Sequence, residues 1–285
     1  MHKCVLYKKE KNSKVRCLAC SHKCLILKNN TGICNVRKNI NGKLYLLVYG
    51  KIVARHVDPI RKKPLYHFLP NTNTYSIGTI GCNFKCGFCQ NYDISQSREI
   101  VGEEVTPGKI VEEAIKNKCK SISYTYNEPT IFAEFAKDTA VLAHKKGLEN
   151  IFVTNGYMSK ECLNFLDGFI DAMNVDLKSL NEQFYRKICK AKLQPVLDTI
   201  KMAYDKKIHI EITTLIVPGL NDSEKELEKI AKFISSIDKN IPWHISRFFP
   251  MYKMKDKKIT DLNILKKAEA IGKKYLNYVY VGNVW

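Results

Sequence analysis

From about Thr74 onward the chain alternates between strand-like and helix-like segments, and this pattern limits the fold more than any other feature. Strand candidates are Tyr75–Thr79, Ser121–Tyr126, Ile151–Thr154, Ala172–Leu177, Ile208–Ile216, Trp243–Arg247 and Tyr278–Val281. One intervening helix starts at Thr106 as N-cap with Pro107 at its first position and runs to about Lys118. Another follows Pro129 and ends at Gly147, and a third begins at Ser223 with Glu226 three residues on, a capping box. Further helices fit near 159–166, 182–189, 195–205 and 261–276. Strand–helix units with short connections give a parallel sheet covered by helices. About six units fit, short of eight. The expected fold is therefore α/β, a partial, open (β/α)6 TIM-like barrel, with its chemistry at the carboxyl ends of the strands.

The first 70 residues read differently. They are rich in cysteine and loops, with a strand-like run at 43–49 between Gly42 and Gly50. Asp58-Pro59 and Lys63-Pro64 break the chain into short extended pieces. A length of 285 residues accommodates one large domain and an appendage. The expected division is a small Cys-rich metal-binding module over 1–70 and the barrel over 71–285. No apolar run approaches the roughly 20 residues needed to cross a bilayer, and the start lacks the pattern of a secretory signal. The expectation is a cytoplasmic protein with no membrane partner. The net charge of +19 has two readings. One is an acidic partner such as RNA, a redox protein or an acidic peptide; the other is lysines scattered over solvated faces.

Seven of the 11 cysteines fall into two groups. Clustered cysteines in a cytosolic chain indicate metal or catalysis rather than disulfides. Cys82, Cys86 and Cys89 form C-x3-C-x2-C directly after the first barrel strand. Three thiolates on a tight loop can grip three irons of a [4Fe–4S] cube. With no fourth cysteine nearby in sequence, one iron keeps open positions where the amino and carboxylate groups of S-adenosylmethionine (SAM) can chelate. Cys17, Cys20, Cys24 and Cys34 suffice for a closed zinc site or an auxiliary cluster, either of which would staple a module with little core. His22 could replace one of them or simply be an exposed residue. Cys4, Cys119, Cys162 and Cys189 stand alone and read as small buried or surface residues.

A series of motifs runs along nearly the whole chain: Cys17-x2-Cys20-x3-Cys24 with Gly32-Ile33-Cys34, Asp58-Pro59-Ile60-x-Lys62-Lys63-Pro64-Leu65-Tyr66-His67-Phe68, the triplet with Gln90-Asn91, Tyr124-Thr125-Tyr126-Asn127-Glu128-Pro129, Thr154-Asn155-Gly156, Asp176-Leu177-Lys178, Thr213-Thr214-Leu215-Ile216-Val217-Pro218-Gly219, and Trp243-His244-Ile245-Ser246-Arg247. In this order they resemble the radical SAM superfamily, its pyruvate formate-lyase activating enzyme-like group, and most closely the AmmeMemoRadiSam-type enzymes. The resemblance implies an oxidoreductase that cleaves SAM to a 5′-deoxyadenosyl radical and takes a hydrogen atom from its substrate. That substrate would be a protein or peptide, or alternatively RNA; a non-catalytic iron–sulfur protein is a third reading. It implies SAM contacts at Glu128, Asn155, Asp176, Lys178, Thr214 and Val217, and an acidic flavodoxin or ferredoxin as electron donor. Asp176 and Lys178 alternate on one strand and can face the cavity together or simply pair with each other. Arg247 could hold a carboxylate or phosphate, and His244 reads equally well as a satisfied core histidine. Two positions depart from the family pattern: Arg61 stands where an acid is expected, and the sequence ends at Trp285 where the family carries a further Cys-containing tail.

Overall fold

Seven parallel strands lie side by side in chain order: β1 (Asn73–Gly78), β2 (Ser121–Tyr124), β3 (Glu149–Thr154), β4 (Ala172–Asp176), β5 (His209–Ile216), β6 (Trp243–Arg247) and β7 (Val279–Gly282). They belong to a computed structural model that describes residues 1–284; Trp285 lies outside the described residues. The longest helix between each pair of consecutive strands is, in order, α1 (Pro107–Lys116), α2 (Ala133–His144), α3 (Lys160–Phe165), α4 (Gln194–Asp205), α5 (Glu224–Ser235) and α6 (Leu262–Gly272). The architecture is the partial (β/α)6 TIM-like barrel with a closing strand, open between β7 and an edge strand, Ala54–Pro59. That edge strand pairs antiparallel with β1. It was expected in the N-terminal module but belongs to the barrel sheet, so a boundary at residue 70 cuts through the barrel.

Local chemistry explains most element ends. The Thr106 hydroxyl accepts from Lys109 N at 3.2 Å, as an N-cap should. Gly147 has φ +71°, the left-handed conformation that ends a helix cheaply. The capping box at α5 is half made. Ser223 Oγ accepts from Glu226 N at 3.3 Å, but the Glu226 carboxylate turns away and accepts from Leu180 N at 2.6 Å and from the Ser179 hydroxyl. The segment expected as a helix over 182–189 is one short α-turn, Glu182–Phe184, continued by a π-helical turn over Tyr185–Cys189.

The register of the sheet decides which side chains share the lumen. Asp176 pairs with Thr213, Thr213 with His244, and His244 with Tyr280. Since successive residues of a strand face opposite sides, these four share one face with Ser76, Ser121, Asn174 and Glu211. The opposite face carries Ile77, Tyr124, Phe152, Val175, Ile212 and Trp243, all buried. It packs on the helices; a Cβ at Gly272 of α6 would meet Trp243 at 2.9 Å. The helix-facing side is thus largely apolar, while the lumen carries these polar groups beside an apolar cluster of Ile151, Val153 and Ala172 with Ile60, Leu65 and Phe68.

Residues 60–72 run as a strap beneath the barrel, from the edge strand towards β7. The buried Glu211 carboxylate anchors it, accepting from Tyr66 N and His67 N at 2.8–3.0 Å, from His209 Nε2 at 3.1 Å and from His244 Nε2 at 2.6 Å. His67 Nε2 reaches Tyr280 Oη at 2.7 Å, and Asn174 Nδ2 donates to Pro64 O at 2.7 Å. Asp58 opens the strap and accepts from Lys63 Nζ at 2.8 Å and Tyr126 Oη at 2.9 Å. The Asp58-to-Phe68 motif is therefore built into the barrel floor. Burial alone would raise the Glu211 carboxyl, but the four donors outweigh it and bring it down to about 2. A depressed carboxyl contributes stability fully present above its unfolded value of about 4.3 and lost as pH falls through the folded value. The stability of the protein should therefore fall by about 3 kcal/mol between pH ~5 and pH ~2 from this group alone. Denaturation midpoints measured across that range should show a shallower acid slope in Glu211→Gln.

The N-terminal residues form two small antiparallel sheets: one of His2–Lys3, Lys43–Leu46 and Arg37–Ile40, the other of Tyr7–Lys9, Val15–Cys17 and Leu25–Ile26. Their buried residues, among them Val15, Ile26, Val36 and Leu44, join the same hydrophobic cluster as the barrel. A buried ion pair crosses the junction. Arg37 Nη1 donates to Glu134 Oε1 at 3.0 Å, Nη2 contacts Glu134 Oε2, and Nε donates to Ile131 O at 2.8 Å. Among the described residues no helix is long and apolar enough to cross a membrane.

Candidate active site

Cys82, Cys86 and Cys89 occupy the loop that leaves β1 at its carboxyl end, where a parallel barrel places its chemistry. Gly81 opens this loop with φ +92°, and a Cβ there would meet Cys34 O at 2.6 Å and Val36 at 2.7 Å. Only glycine fits, because the N-terminal module presses on the loop at that point. Cys86 is buried, while Cys82 and Cys89 are half-buried. Phe84, buried behind the loop, packs on Tyr157 and Tyr185; Phe88 is buried beside Phe184.

The surroundings suit three cluster thiolates. Phe84 N approaches Cys82 Sγ at 3.4 Å, Asn155 Nδ2 reaches the same sulfur at 3.9 Å, and Ser95 Oγ lies 3.2 Å from Cys89 Sγ. Such donors compensate negative sulfur in an iron–sulfur site. The three sulfurs are not drawn together: among the described residues, the only three metal-type ligand atoms mutually within 4.8 Å are those of His144, Glu149 and Asp171. That group lies at the opposite end of β3 and is tied by hydrogen bonds, His144 Nε2 to Asp171 Oδ2 at 2.8 Å and Asn150 N to the same oxygen at 2.7 Å. A single tetrahedral zinc holds its thiolates about 3.8 Å apart, a geometry these three sulfurs do not show.

A fourth cysteine is near in space. Cys189, 103 residues beyond Cys86 in sequence and read as a lone residue, ends the π-helical turn near the Cys86 thiol. The neighbouring Cys189 thiol and burial push the Cys86 thiol well above its usual range. Burial raises Cys82, with the Glu128 carboxylate adding to it, and burial also raises Cys89. Loading a metal on this loop therefore releases protons.

The six expected SAM contacts divide. Asn155 sits against the loop, donating to Asn83 Oδ1 at 2.8 Å. Lys178 and Asp176 face the same region and pair with each other, Nζ to Oδ2 at 2.8 Å, with the ammonium 5.6 Å from the Phe88 ring centre. The charge of Asp176 and the nearby thiols outweighs burial and holds Lys178 well above its ordinary value. Glu128 lies beneath Cys82, with its carboxylate already engaged. One oxygen accepts from Thr130 N at 3.0 Å, Thr154 Oγ1 at 2.7 Å and the Thr130 hydroxyl; the other accepts from Asn155 N at 2.7 Å. The second oxygen, which holds the Asn155 N–H, is the one that retains capacity for an ammonium.

Thr214 is not in the lumen. It faces the helices, donates to Leu177 O at 2.8 Å and accepts from Trp243 Nε1 at 2.9 Å. Its neighbour Thr213 faces inward, with a buried hydroxyl that has no partner. The reason is strand parity: Thr213, not Thr214, pairs with Asp176. Val217 is fully buried in the turn after β5, its N–H fixed by Asn221 Oδ1 at 2.7 Å. Arg247 also points outward and braces the following loop through Thr260 O at 2.8 Å, so it holds no ligand in the lumen. His244 is the satisfied histidine of the floor. Ser76 Oγ, Ser121 Oγ and Asn174 Oδ1 join Thr213 as buried lumen-side atoms without partners, which a polar guest would satisfy.

Comparison with known proteins agrees with this geometry. The radical SAM superfamily profile matches residues 76–234. An uncharacterized protein of Methanocaldococcus jannaschii is 46% identical over 288 residues, covering 100% of this chain and 86% of its own length. A second protein of that organism, provisionally named a glycyl-radical enzyme activating enzyme, is 31% identical over 205 residues, 70% of this chain and 77% of its own. The crystal structure of a radical SAM methyltransferase from Sphaerobacter thermophilus shares the fold, with a TM-score of 0.58 at 14% identity over 75% of this chain and 67% of that one. With the profile matching more than half of the sequence and a (β/α)6 barrel beneath it, the chain is an enzyme that belongs to the radical SAM superfamily.

Proposed function

We propose that this enzyme holds a [4Fe–4S] cluster on Cys82, Cys86 and Cys89, binds SAM at its open iron, and removes a hydrogen atom from a protein or peptide substrate. Held there, the cluster would supply the electron for cleavage of SAM to methionine and a 5′-deoxyadenosyl radical. The residues of the chain do the rest. Asn155, positioned by Glu128, and the Asp176–Lys178 pair would bind and orient SAM; Val217 and the turn that holds it would pack the adenine side. Phe84 and Phe88 keep water from the loop. The observation that carries the reading is the thiol triplet, furnished with N–H and O–H donors, at the carboxyl end of the first barrel strand.

The protein or peptide substrate is supported by the name of the glycyl-radical relative. The net charge of +19 favours an acidic electron donor such as a flavodoxin or ferredoxin, which a basic surface would steer, and it also suits RNA. The four N-terminal thiols read as a second metal centre. The test is anaerobic reconstitution, with electron paramagnetic resonance before and after SAM and 5′-deoxyadenosine measured with candidate proteins, peptides and RNA. A cluster spectrum that changes on adding SAM, and turnover stimulated by a polypeptide, are expected. Stimulation by RNA alone would overturn the substrate class, and reduced protein that forms no 5′-deoxyadenosine would overturn the activity.

A further inference from the structure

Cys17, Cys20, Cys24 and Cys34 line one cavity together with His22, Arg37 and Asn83. Three of the four thiols are buried and Cys24 is half-buried. Thiolates in this number serve either zinc or an iron–sulfur cube, and in both the set carries the same charge. Sulfur spacing separates the two. A tetrahedral zinc with bonds of about 2.3 Å draws its four sulfurs to about 3.8 Å from one another. A cube has one thiolate beyond each iron, so its sulfurs stand about 6 Å apart. No three of these four sulfurs lie mutually within 4.8 Å. A water-sized sphere fits in the cavity they line with His22, Arg37 and Asn83. The sulfurs of Cys82, Cys86 and Cys89 likewise do not all lie within 4.8 Å of one another.

Asn83 supplies a second, independent observation. It is fully buried, lines this cavity, and its side-chain Nδ2 has no hydrogen-bond partner. A buried amide donor without a partner costs about 1–3 kcal/mol, and sulfide or thiolate at the cavity would satisfy it. Its remaining groups tie it to both sides. Asn83 Oδ1 accepts from Asn155 Nδ2 at 2.8 Å, and Asn83 O lies 2.9 Å from His22 Nε2. The residue after Cys82 is thus the wall shared by the cavity and the SAM-site loop.

We infer that the four N-terminal cysteines hold a second [4Fe–4S] cluster, closed by four thiolates and separated from the Cys82 loop by Asn83. The inference rests on reading the four thiols as a metal centre. It does not depend on whether the triplet cleaves SAM.

The test is metal content of the full chain, expressed and purified anaerobically, in the triple variant C82A/C86A/C89A. Iron, sulfide and zinc are measured, with Mössbauer spectra of protein grown on 57Fe. About four irons and four sulfides per chain should remain, half the wild-type content, with the spectrum of a closed cube. Adding C20A/C24A should remove them. One zinc per chain without sulfide would overturn the inference, as would a folded triple variant free of metal. Should the triple variant not fold, C20A/C24A in the otherwise native chain decides: iron is expected to halve while the SAM-induced spectral change persists, and unchanged iron with zinc lost would overturn the assignment. Failure of the SAM reading shows separately, as a wild-type spectrum indifferent to SAM beside an unchanged iron count.

Discussion

Replacing Cys86 with alanine should lower SAM-dependent 5′-deoxyadenosine formation by more than about 10³-fold, since the whole rate acceleration depends on the group that the triplet holds. Cys86 is the most buried of the three, and three thiolates are the minimum for a cube that leaves one iron open. The anaerobic assay is read beside iron content, which should fall by about four per chain. Cys189→Ala is the informative companion, because Cys189 lies near enough to raise the Cys86 thiol. If Cys189 is a neighbour and not a ligand, that variant keeps its iron and its SAM-induced spectral change. Loss of iron in C189A equal to that in C86A would mean a closed site, which is incompatible with SAM chelation.

The second large effect concerns the junction of the two parts of the molecule. Burial opposes charge on Glu134, yet the Arg37 guanidinium outweighs it and holds the carboxyl below its ordinary range. Arg37→Met leaves that carboxylate buried without its partner and should destabilise the protein by about 3–5 kcal/mol, a large part of a total of about 5–15 kcal/mol. Chemical denaturation of the metal-free chain, measured for wild type and variant under the same conditions, checks it. R37M/E134L should recover most of the loss, because an apolar pair of similar volume avoids desolvating two charges. A double variant as unstable as R37M would show that the guanidinium matters mainly through its bond to Ile131 O. The pair joins Arg37–Ile40 to α2, so its loss should also loosen the wall of the four-cysteine cavity, which Arg37 lines.

Much of the fold was legible because its signals are local. Each of the seven expected parallel strands is present within about two residues, since β-branched and aromatic runs bounded by turn residues need no tertiary information. Thr106 and Gly147 end their helices as read. The edge strand and the strap were not legible. Their residues are short and broken by prolines, and they hold position through Glu211, Asn174 and Tyr280, up to 213 residues away. The capping box at Ser223 failed in one half because Glu226 found better donors at Ser179 and Leu180.

For the site, sequence alone determined the cysteine spacing and hence the class of chemistry, because a cluster-binding loop is local and its three ligands lie within eight residues. It could not decide which side chains meet around that loop. Thr213 faces the lumen and Thr214 does not, because the register with β4 fixes the parity of β5. Cys189 reaches Cys86 because a π-helical turn brings it there. Asn83 walls two thiol sets at once because Gly81 lets the N-terminal module press against the loop. Spacing along the chain specifies a ligand set; the distances between sulfurs, which separate zinc from a cube, arise only when sheet register and packing place the loops in space.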